Sequence, residues 1–334
     1  MSYLSWSSDF FETACGPKPR SQNTLRALSS NQGDTFFAEV ENRQGEGESY
    51  QAWLQRRDEW FMNNKQVYFL NADVQSHLMS PVTSYIETFL GVPCSPLVVR
   101  TVANGMRFVQ EKSVPGSCGE GGCENQVKAI AAHDILTMVE RTSEAMSGAI
   151  VVVLTSSAIF TEWEGITDVA RSDKGRIAVV SIAHFSDTTR NVCRLALRAV
   201  SSLIGFVPCM WMKCVLNSLN TCASEHLVDV ACPACLRRIA CLHGNSEFDY
   251  SQRYYNLHQW YMYQKGESLE QNSNVVEWLR ERYFAINGRH MPHVEDQSEA
   301  TKEEEQEQER DPSKEEIRSK LRLLKIKRNR KKGI

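Results

Sequence analysis

Four cysteines stand in two short pairs in the second half of the 334-residue chain. Cys209 and Cys214 have four residues between them, Cys232 and Cys235 have two, and seventeen residues separate the pairs. Each pair can bring two thiolates onto one ion, and the longer excursion brings the second pair opposite the first, as tetrahedral zinc requires. Pro233 stiffens the second pair. The spacing predicts one zinc ion with four sulfur ligands and no open coordination position, which is a structural site.

The alternative is that these cysteines are buried free thiols, which pack as small apolar side chains. Chance clustering rarely produces two ligand-spaced pairs, so we favour the metal site. Nearby cysteines and histidines with less regular spacing are reserve ligands. They are Cys193, Cys222, Cys241, His226 and His243.

A helix is predicted to lead into the first pair. Asp187 is a typical helix start, Gly205 is a typical helix end, and apolar side chains recur between them at helical spacing. The apolar face consists of Val192, Leu195, Ala196, Ala199, Leu203 and Ile204. The opposite face carries Arg190, Arg194, Arg198, Ser201 and Ser202.

The helix, the glycine and the cysteine pairs resemble the archaemetzincins, a family of zinc metallopeptidases whose signature is usually written HExxHxxGxxHCx4CxMx17CxxC. With Gly205 placed on the glycine of the signature, the four cysteines fall on its four structural-zinc cysteines. Leu216 stands at the methionine position, and the excursion from there to Cys232 is two residues shorter. The resemblance implies a metzincin-like fold of the α/β (α+β) class, in which a helical C-terminal subdomain is stabilised by the four-cysteine zinc site.

The catalytic half of the signature is missing. In place of the first histidine, the general-base glutamate, the second histidine and the third histidine, the chain has Arg198, Ala199, Ser202 and Pro208. Catalysis at such a site needs three neutral imidazoles on one zinc and a carboxylate that takes a proton from the bound water. A guanidinium does not lose its proton to become a ligand. The resemblance therefore implies no catalytic residues and one structural Zn²⁺.

Composition limits the class of protein. An apolar content of 42% supports a core for one large domain or two small ones, and a net charge of -3 argues against a general nucleic-acid-binding body. The start of the chain lacks the basic segment and the following apolar segment of a secretory signal peptide. The apolar runs elsewhere are too short to span a bilayer. Eleven cysteines without an export signal favour reduced thiols and metal. We expect a cytoplasmic or nuclear protein without a membrane partner.

Four segments differ in composition. They are residues 1–50, a mostly disordered extension; 51–265, the archaemetzincin-like domain; 266–294, a C-terminal helix; and 295–334, a charged tail. In the tail, residues 295–316 have eleven acidic and three basic side chains, whereas residues 317–334 have nine basic and none acidic. The run KIKRNRKK is either a solvated helical end or a segment that binds RNA or another polyanion.

Periodicity predicts strands and helices in alternation. Strands are expected at residues 67–70, 97–102, 149–154 and 176–182, helices at 50–62, 80–90, 129–139 and 275–284, and a loop at 112–125. This order implies a twisted mixed sheet packed with helices. An aromatic stripe at Tyr250, Tyr254, Leu257 and Tyr261 predicts core packing. The segment IAVVSIAHFSD at 177–187 resembles the metzincin edge strand, which lends backbone hydrogen bonds to an extended substrate.

Three hypotheses of function follow. The first is a pseudopeptidase that binds a protein or peptide through the edge strand and the remnant cleft. The second is an active zinc metallopeptidase, aminopeptidase-like, with rearranged ligands such as His226 or His243. The third is a zinc-containing protein associated with nucleic acid, because a fold likeness does not carry activity with it. We favour the first.

Overall fold

A computed structural model describes the chain at residues 49–56, 66–97, 111–115, 126–143, 149–172, 176–184, 189–209, 214–216, 229–244, 248–263 and 269–292. The chain divides into two units, Met1–Arg289 and His290–Ile334, and the second is described only at residues 290–292. Apart from Ser49 and Tyr50, the predicted disordered extension lies outside the described residues, as does the whole charged tail. The domain boundaries stay predictions.

Apolar strands form the centre of the first sheet. Strand β5 (Ile150–Thr155) is buried at every residue and lies between β1 (Val67–Asn71) and β9 (Ile177–Ser181). These three strands run parallel, as continuous apolar strands covered on both faces commonly do. β2 (Cys94–Leu97) extends the parallel set beyond β1. β8 (Val169–Arg171) closes the other side and runs antiparallel to β9.

This strand order corrects one prediction and confirms others. The strands expected at 67–70, 149–154 and 176–182 are present. Strand β2 overlaps the strand expected at 97–102 only at Leu97, and residues 98–102 lie outside the described residues. The segment predicted to be the edge strand forms β9, which is paired on both sides, so that assignment is wrong. A fully buried strand such as β9 suits a sheet interior, whereas a three-residue strand with an exposed arginine suits an edge.

A second sheet consists of four strands, none of which was predicted. Its order is β3-β4-β6-β7, formed by β3 (Glu111–Pro115), β4 (Gln126–Ala131), β6 (Ile159–Thr161) and β7 (Gly165–Thr167). Residues 112–115 are therefore strand and not loop, and residues 129–131 are strand and not helix. β3 and β4 pair with each other, and local periodicity does not report a pairing partner. The predicted α/β class with a mixed sheet is confirmed.

Seven α-helices belong to the described residues. They are α1 (Tyr50–Arg56), α2 (Met79–Leu90), α3 (Ala132–Ser143), α4 (Thr189–Leu203), α5 (Pro233–Leu242), α6 (Tyr250–Tyr263) and α7 (Leu269–Asn287). A 3-10 turn precedes α2, so this helix begins before the predicted Ser80 cap, and it ends at Gly91 with a φ of 69°, as expected. The predicted Asp187 cap lies outside the described residues. No helix among the described residues is both long and apolar enough to cross a bilayer.

The aromatic stripe of α6 packs in the core, as predicted, and all four of its positions are buried. Trp260 lies against Tyr85 of α2 with ring centroids 4.7 Å apart, and Tyr254 meets Trp278 of α7 edge to face at 5.7 Å. Such ring pairs add about 0.5–1.5 kcal/mol each beyond their buried area. They fasten α6 to both neighbouring helices.

A buried carboxylate ties α4 to the segment that leads into α5. The Asp229 side chain is 0% exposed and accepts hydrogen bonds from Arg190 and Arg194, which lie one turn apart on α4. Arg194 is itself buried, so it depends on this counter-ion. Removing one partner of a buried ion pair leaves a charge without compensation, which is strongly destabilising.

We expect Asp229→Asn to lower the free energy of unfolding by about 3–5 kcal/mol, because two guanidiniums lose their buried counter-ion. Asp134→Asn, in the exposed first turn of α3, is the control and should cost less than about 1 kcal/mol. Urea denaturation of the two variants measures the difference. Equal losses in both would show that the Asp229 pairing does not stabilise the fold.

Candidate metal centre and adjoining cleft

The four cysteines meet at one point from two parts of the chain. Cys209 ends the stretch that follows α4, and Cys214 begins the next described turn. Cys232 is the N-cap of α5, and Cys235 lies in the first turn of that helix. The backbone N–H of Cys209 donates to the carbonyl of Leu216 at 2.8 Å, which closes the first knuckle. Each pair is therefore held by ordered backbone.

Their sulfur atoms form a compact buried cluster. All four Sγ atoms lie within 4.8 Å of one another, and each of the four residues is at most 1% exposed. Sγ of Cys209 lies 3.6 Å from that of Cys232, and Sγ of Cys214 lies 3.8 Å from that of Cys235. Zinc–sulfur bonds of about 2.3 Å in a tetrahedron place the sulfurs about 3.8 Å apart. The predicted cysteines are thus brought together in an arrangement that could hold a metal ion.

Burial and mutual contact oppose ionisation of these thiols. Burial raises the pKa of the Cys214 thiol well above its ordinary value, and hydrogen bonds with Cys209 and Cys232 raise it further. For Cys235, hydrogen bonds with the neighbouring thiols are the larger cause of the raised pKa and burial is a smaller one. A bound cation reverses this preference, because a coordinating thiol is deprotonated outright. The donor set therefore fits zinc.

Helix α1 covers the arginines of α5. Trp53 is 0% exposed and meets Phe206 edge to face at 5.4 Å. The Arg238 guanidinium lies 6.0 Å from the centroid of Trp53, and that of Arg237 lies 5.8 Å from the centroid of Tyr50. Cation–π contacts of this kind favour a cation against an aromatic face. Helix α1 thus helps to fix the helix that carries the second cysteine pair.

The described reserve ligands have other places in the fold. Cys193 and Cys241 are buried outside the cluster. His243 donates through Nε2 to the carbonyl of Leu90 at 2.8 Å, and its ring fills the space that a Cβ on Gly91 would occupy. It therefore caps the end of α2 and is not a ligand of the cluster.

The other two reserves, Cys222 and His226, lie outside the described residues. Within the ranges that the structure describes, no further group of three or more His, Cys, Asp or Glu side chains meets at ligand distance. The cysteine cluster is the metal site that these residues support.

The four residues at the catalytic positions of the signature line one cavity of about 270 Å³. Arg198, Ala199 and Ser202 belong to α4, and Pro208 lies in the stretch between α4 and Cys209. Further lining comes from Val169, Arg171, Ser201, Phe206, Val207 and Leu216. The positions that the resemblance assigns to one site do share a cleft, but their side chains include no imidazole and no carboxylate.

Two arginines give this cleft its charge. Arg171 of β8 donates a hydrogen bond to the hydroxyl of Ser202, and Nε of Arg198 donates to the carbonyl of Val215 at 3.3 Å. Asp168 immediately precedes β8, and burial raises the pKa of its carboxyl although the charge of Arg198 opposes the shift. Among the described residues, no acidic side chain lines the 270 Å³ cavity.

The outward edge of β8 is partly covered. Hydrogen bonds to the neighbouring strand involve Asp168 and Ser172, so the backbone groups of Val169 and Arg171 point away from it by the alternation of antiparallel pairs. The Thr167 hydroxyl donates to the carbonyl of Val169 at 3.2 Å and accepts from its N–H at 3.4 Å. A peptide strand added here would have to displace Thr167.

A second cavity of about 490 Å³ adjoins the first, and Val169, Arg171 and Ser202 line both. The turn between β6 and β7 borders it with Trp163, which is 94% exposed. Neither Arg171 nor Trp163 was predicted as a site residue. The acidic-aromatic run FTEWEGI was a signal for Trp163, whereas the place of Arg171 depends on a strand pairing that the sequence does not reveal.

We expect one zinc ion per chain, and we expect Cys232→Ser to lose it and to melt at a lower temperature. The reason is that structural zinc binding is worth on the order of 10 kcal/mol in small zinc modules. Cys241→Ser is the matched control, since Cys241 is a buried thiol of the same helix outside the cluster, and this variant should keep its zinc. Elemental analysis and calorimetry make the comparison. Unchanged zinc content and melting in Cys232→Ser would contradict the metal assignment.

No protein-family model and no curated protein sequence matches the chain, but solved structures do. The crystal structure of archaemetzincin from Archaeoglobus fulgidus complexed with malonate is 14% identical, with a TM-score of 0.35 over 53% of this chain and 99% of that one. Archaemetzincin from Methanopyrus kandleri is 17% identical, with a TM-score of 0.36 over 55% and 96%. A zinc-dependent peptidase from Methanocorpusculum labreanum is 11% identical, with a TM-score of 0.38 over 52% and 98%.

Two of these structures bear the name of the family that the cysteine motif resembles, and the third is a zinc-dependent peptidase. The identities lie below 25% and the TM-scores below 0.5, so nothing about the chemistry of those proteins carries over to this chain. What the chain does must follow from its own residues.

Proposed function

We propose that this chain is a catalytically inactive relative of the archaemetzincins, a pseudopeptidase braced by one structural zinc ion that binds polypeptide in its cleft. One observation supports this most directly. The four catalytic positions of the signature line a single cavity, and they hold Arg198, Ala199, Ser202 and Pro208.

These four side chains cannot assemble a hydrolytic zinc site. Such a site needs neutral imidazoles to hold the ion and a carboxylate to accept a proton from water. Arg198 keeps its proton and brings a cation to the place where a metal dication would bind. It also donates to the carbonyl of Val215, so it belongs to the wall of the cleft. The hydrolytic chemistry is therefore absent from these positions.

The proposed zinc site is the cysteine cluster, formed by Cys209, Cys214, Cys232 and Cys235. Four thiolates fill the coordination sphere of zinc, so the ion would stabilise the fold and activate no water. Pro208 directly precedes the first of these cysteines, and Leu216 follows the second by two positions. The ion would therefore also fix one wall of the cleft.

An active peptidase with rearranged ligands is the competing function. Of its candidate ligands, His243 is bonded to the end of α2, and His226 lies outside the described residues. Nucleic-acid binding through the basic tail concerns residues 317–334, which are also outside them. The active peptidase is an outcome that the cleavage experiment below can reveal. Part of the proposal is that the chain lies in the cytoplasm or the nucleus, where thiols stay reduced and can bind metal.

The purified 334-residue chain should cleave no peptide in a zinc-dependent way, because its cleft offers no base and no open zinc. Incubation with a tryptic digest of unrelated proteins, followed by mass spectrometry, would reveal new peptide ends. Parallel samples with 1,10-phenanthroline separate metal-dependent cleavage from contamination by other proteases. Phenanthroline-sensitive cleavage together with a second zinc ion per chain would establish the active peptidase instead.

Restoring the signature should restore a second metal site. The combined variant Arg198→His, Ala199→Glu, Ser202→His and Pro208→His is expected to bind two zinc ions per chain, because the four positions share one cavity. A control variant with alanine at positions 198, 202 and 208 should bind one. Peptidase activity is not expected from the restored variant, since the groups that orient zinc ligands were not restored. A single ion in both variants would mean that the cavity is not a degenerate metal site.

A further inference from the structure

The cavity of about 270 Å³ has cationic groups and no anionic group on its described lining. Its charged side chains are Arg171 and Arg198, and a hydrogen bond holds each in place, the first to Ser202 and the second to Val215. A guanidinium presents planar, forked N–H donors that match the two oxygens of a carboxylate. The charge and donor geometry of this cavity therefore suit a carboxylate ligand.

Buried hydroxyl groups add further donors beside the arginines. Ser201 lines this cavity and is 3% exposed, while Ser172 lines the adjoining cavity and is 8% exposed. Neither hydroxyl has a hydrogen-bond partner among the described residues. Buried hydroxyls are normally paired, because leaving one unpaired costs free energy. These two groups point to a ligand that brings acceptor oxygens.

The rest of the lining is apolar, and its members are Val169, Ala199, Phe206, Val207, Pro208 and Leu216. Donors set against an apolar wall suit a residue that carries a carboxylate and an apolar side chain close together. The C-terminal residue of a polypeptide has this composition. A glutamate side chain supplies the carboxylate without the apolar group, and so does a small dicarboxylate.

The size of the cavity also favours a chain end. Its volume of about 270 Å³ lies below the ~300–1,000 Å³ that is usual for small-molecule pockets. The adjoining 490 Å³ cavity, bordered by the exposed Trp163, gives room to the residues that precede the terminus. The Thr167 hydroxyl already bonds the outward N–H and carbonyl of Val169. A peptide added along β8 would therefore gain fewer backbone hydrogen bonds than it would along an open sheet edge. Recognition therefore centres on the terminus.

We propose that the cleft binds the free C-terminal carboxylate of a polypeptide whose last side chain is apolar, with Arg171 and Arg198 as the carboxylate-binding residues. This inference rests on the proposed function, because it names the ligand of the same cleft. The acidic group whose pKa Arg198 influences is Asp168. Burial raises the pKa of that carboxyl.

Isothermal titration calorimetry of the 334-residue chain with three peptides tests the proposal. The probes are acetyl-Ala-Ala-Ala-Leu with a free carboxyl, its C-terminal amide, and acetyl-Ala-Glu-Ala-Leu amide, whose carboxylate is on a side chain. The free acid should bind at least about tenfold more tightly than either amide, because the amides lose charge-assisted hydrogen bonds to the guanidiniums.

Substitutions of the two arginines test their role. Arg171→Gln and Arg198→Gln should each weaken binding of the free acid by about tenfold and leave the amide unaffected. Arg141→Gln, at an exposed position of α3, is the matched control and should bind the free acid as the unmodified chain does. Arg171 is exposed, so its variant keeps the test decisive even if Arg198→Gln folds poorly.

Each result decides between the two proposals. Equal affinities for the acid and its amide, or acid binding that survives both arginine substitutions, would overturn the carboxylate assignment and leave the pseudopeptidase standing. Stronger binding of the glutamate peptide would overturn the terminal source of the carboxylate. If no peptide binds at concentrations up to about 10 mM, the carboxylate inference is wrong. The proposed function is tested separately, by the zinc content and by the peptide-cleavage experiment.

Discussion

Four thiolates packed in a buried site repel one another unless a cation lies among them. This constraint would couple metal binding to folding for the stretch after α4 and for the start of α5. Asp229, three positions before Cys232, adds a second tie by pairing with two arginines of α4. The stretch after α4 also supplies Pro208 to the wall of the cleft. With an ion bound as we propose, the cysteine site would help to fix the shape of the cleft.

The residues at the catalytic positions change what the cleft can do while keeping the sign of its charge. A catalytic zinc would polarise a carbonyl and deliver hydroxide. Two guanidiniums also attract negative charge, but they stay protonated and cannot activate water. A site with cations and no base is better suited to binding the carboxylate at the end of a polypeptide than to hydrolysing a peptide bond within it. Binding of a chain end, as we propose, would use the positive charge of this cleft and would need no metal ligand.

Features with local signals could be predicted from the sequence. The cysteine cluster followed from ligand spacing, and the end of α2 followed from Gly91. The central strands followed from continuous apolar runs. β8 has only three residues, which is too short to show the alternation of apolar and polar side chains that marks a strand. Its position at the sheet edge is therefore visible only from its pairing with β9. Arg171 and its place in the cleft were hidden for the same reason.

The polar character of the cleft bears on whether it still has a use. A cavity without a function tends to fill, because native interiors pack densely and voids lose contacts. Here Arg171 and Arg198 are held by hydrogen bonds at the border of an open space, and the buried Ser201 hydroxyl has no hydrogen-bond partner within the described part of the chain. Such departures from good packing and pairing lower stability, and in natural proteins they concentrate at sites that bind. The polar groups that line this cleft therefore argue for a bound ligand. The same lining has no base and no metal ligand, which argues against catalysis.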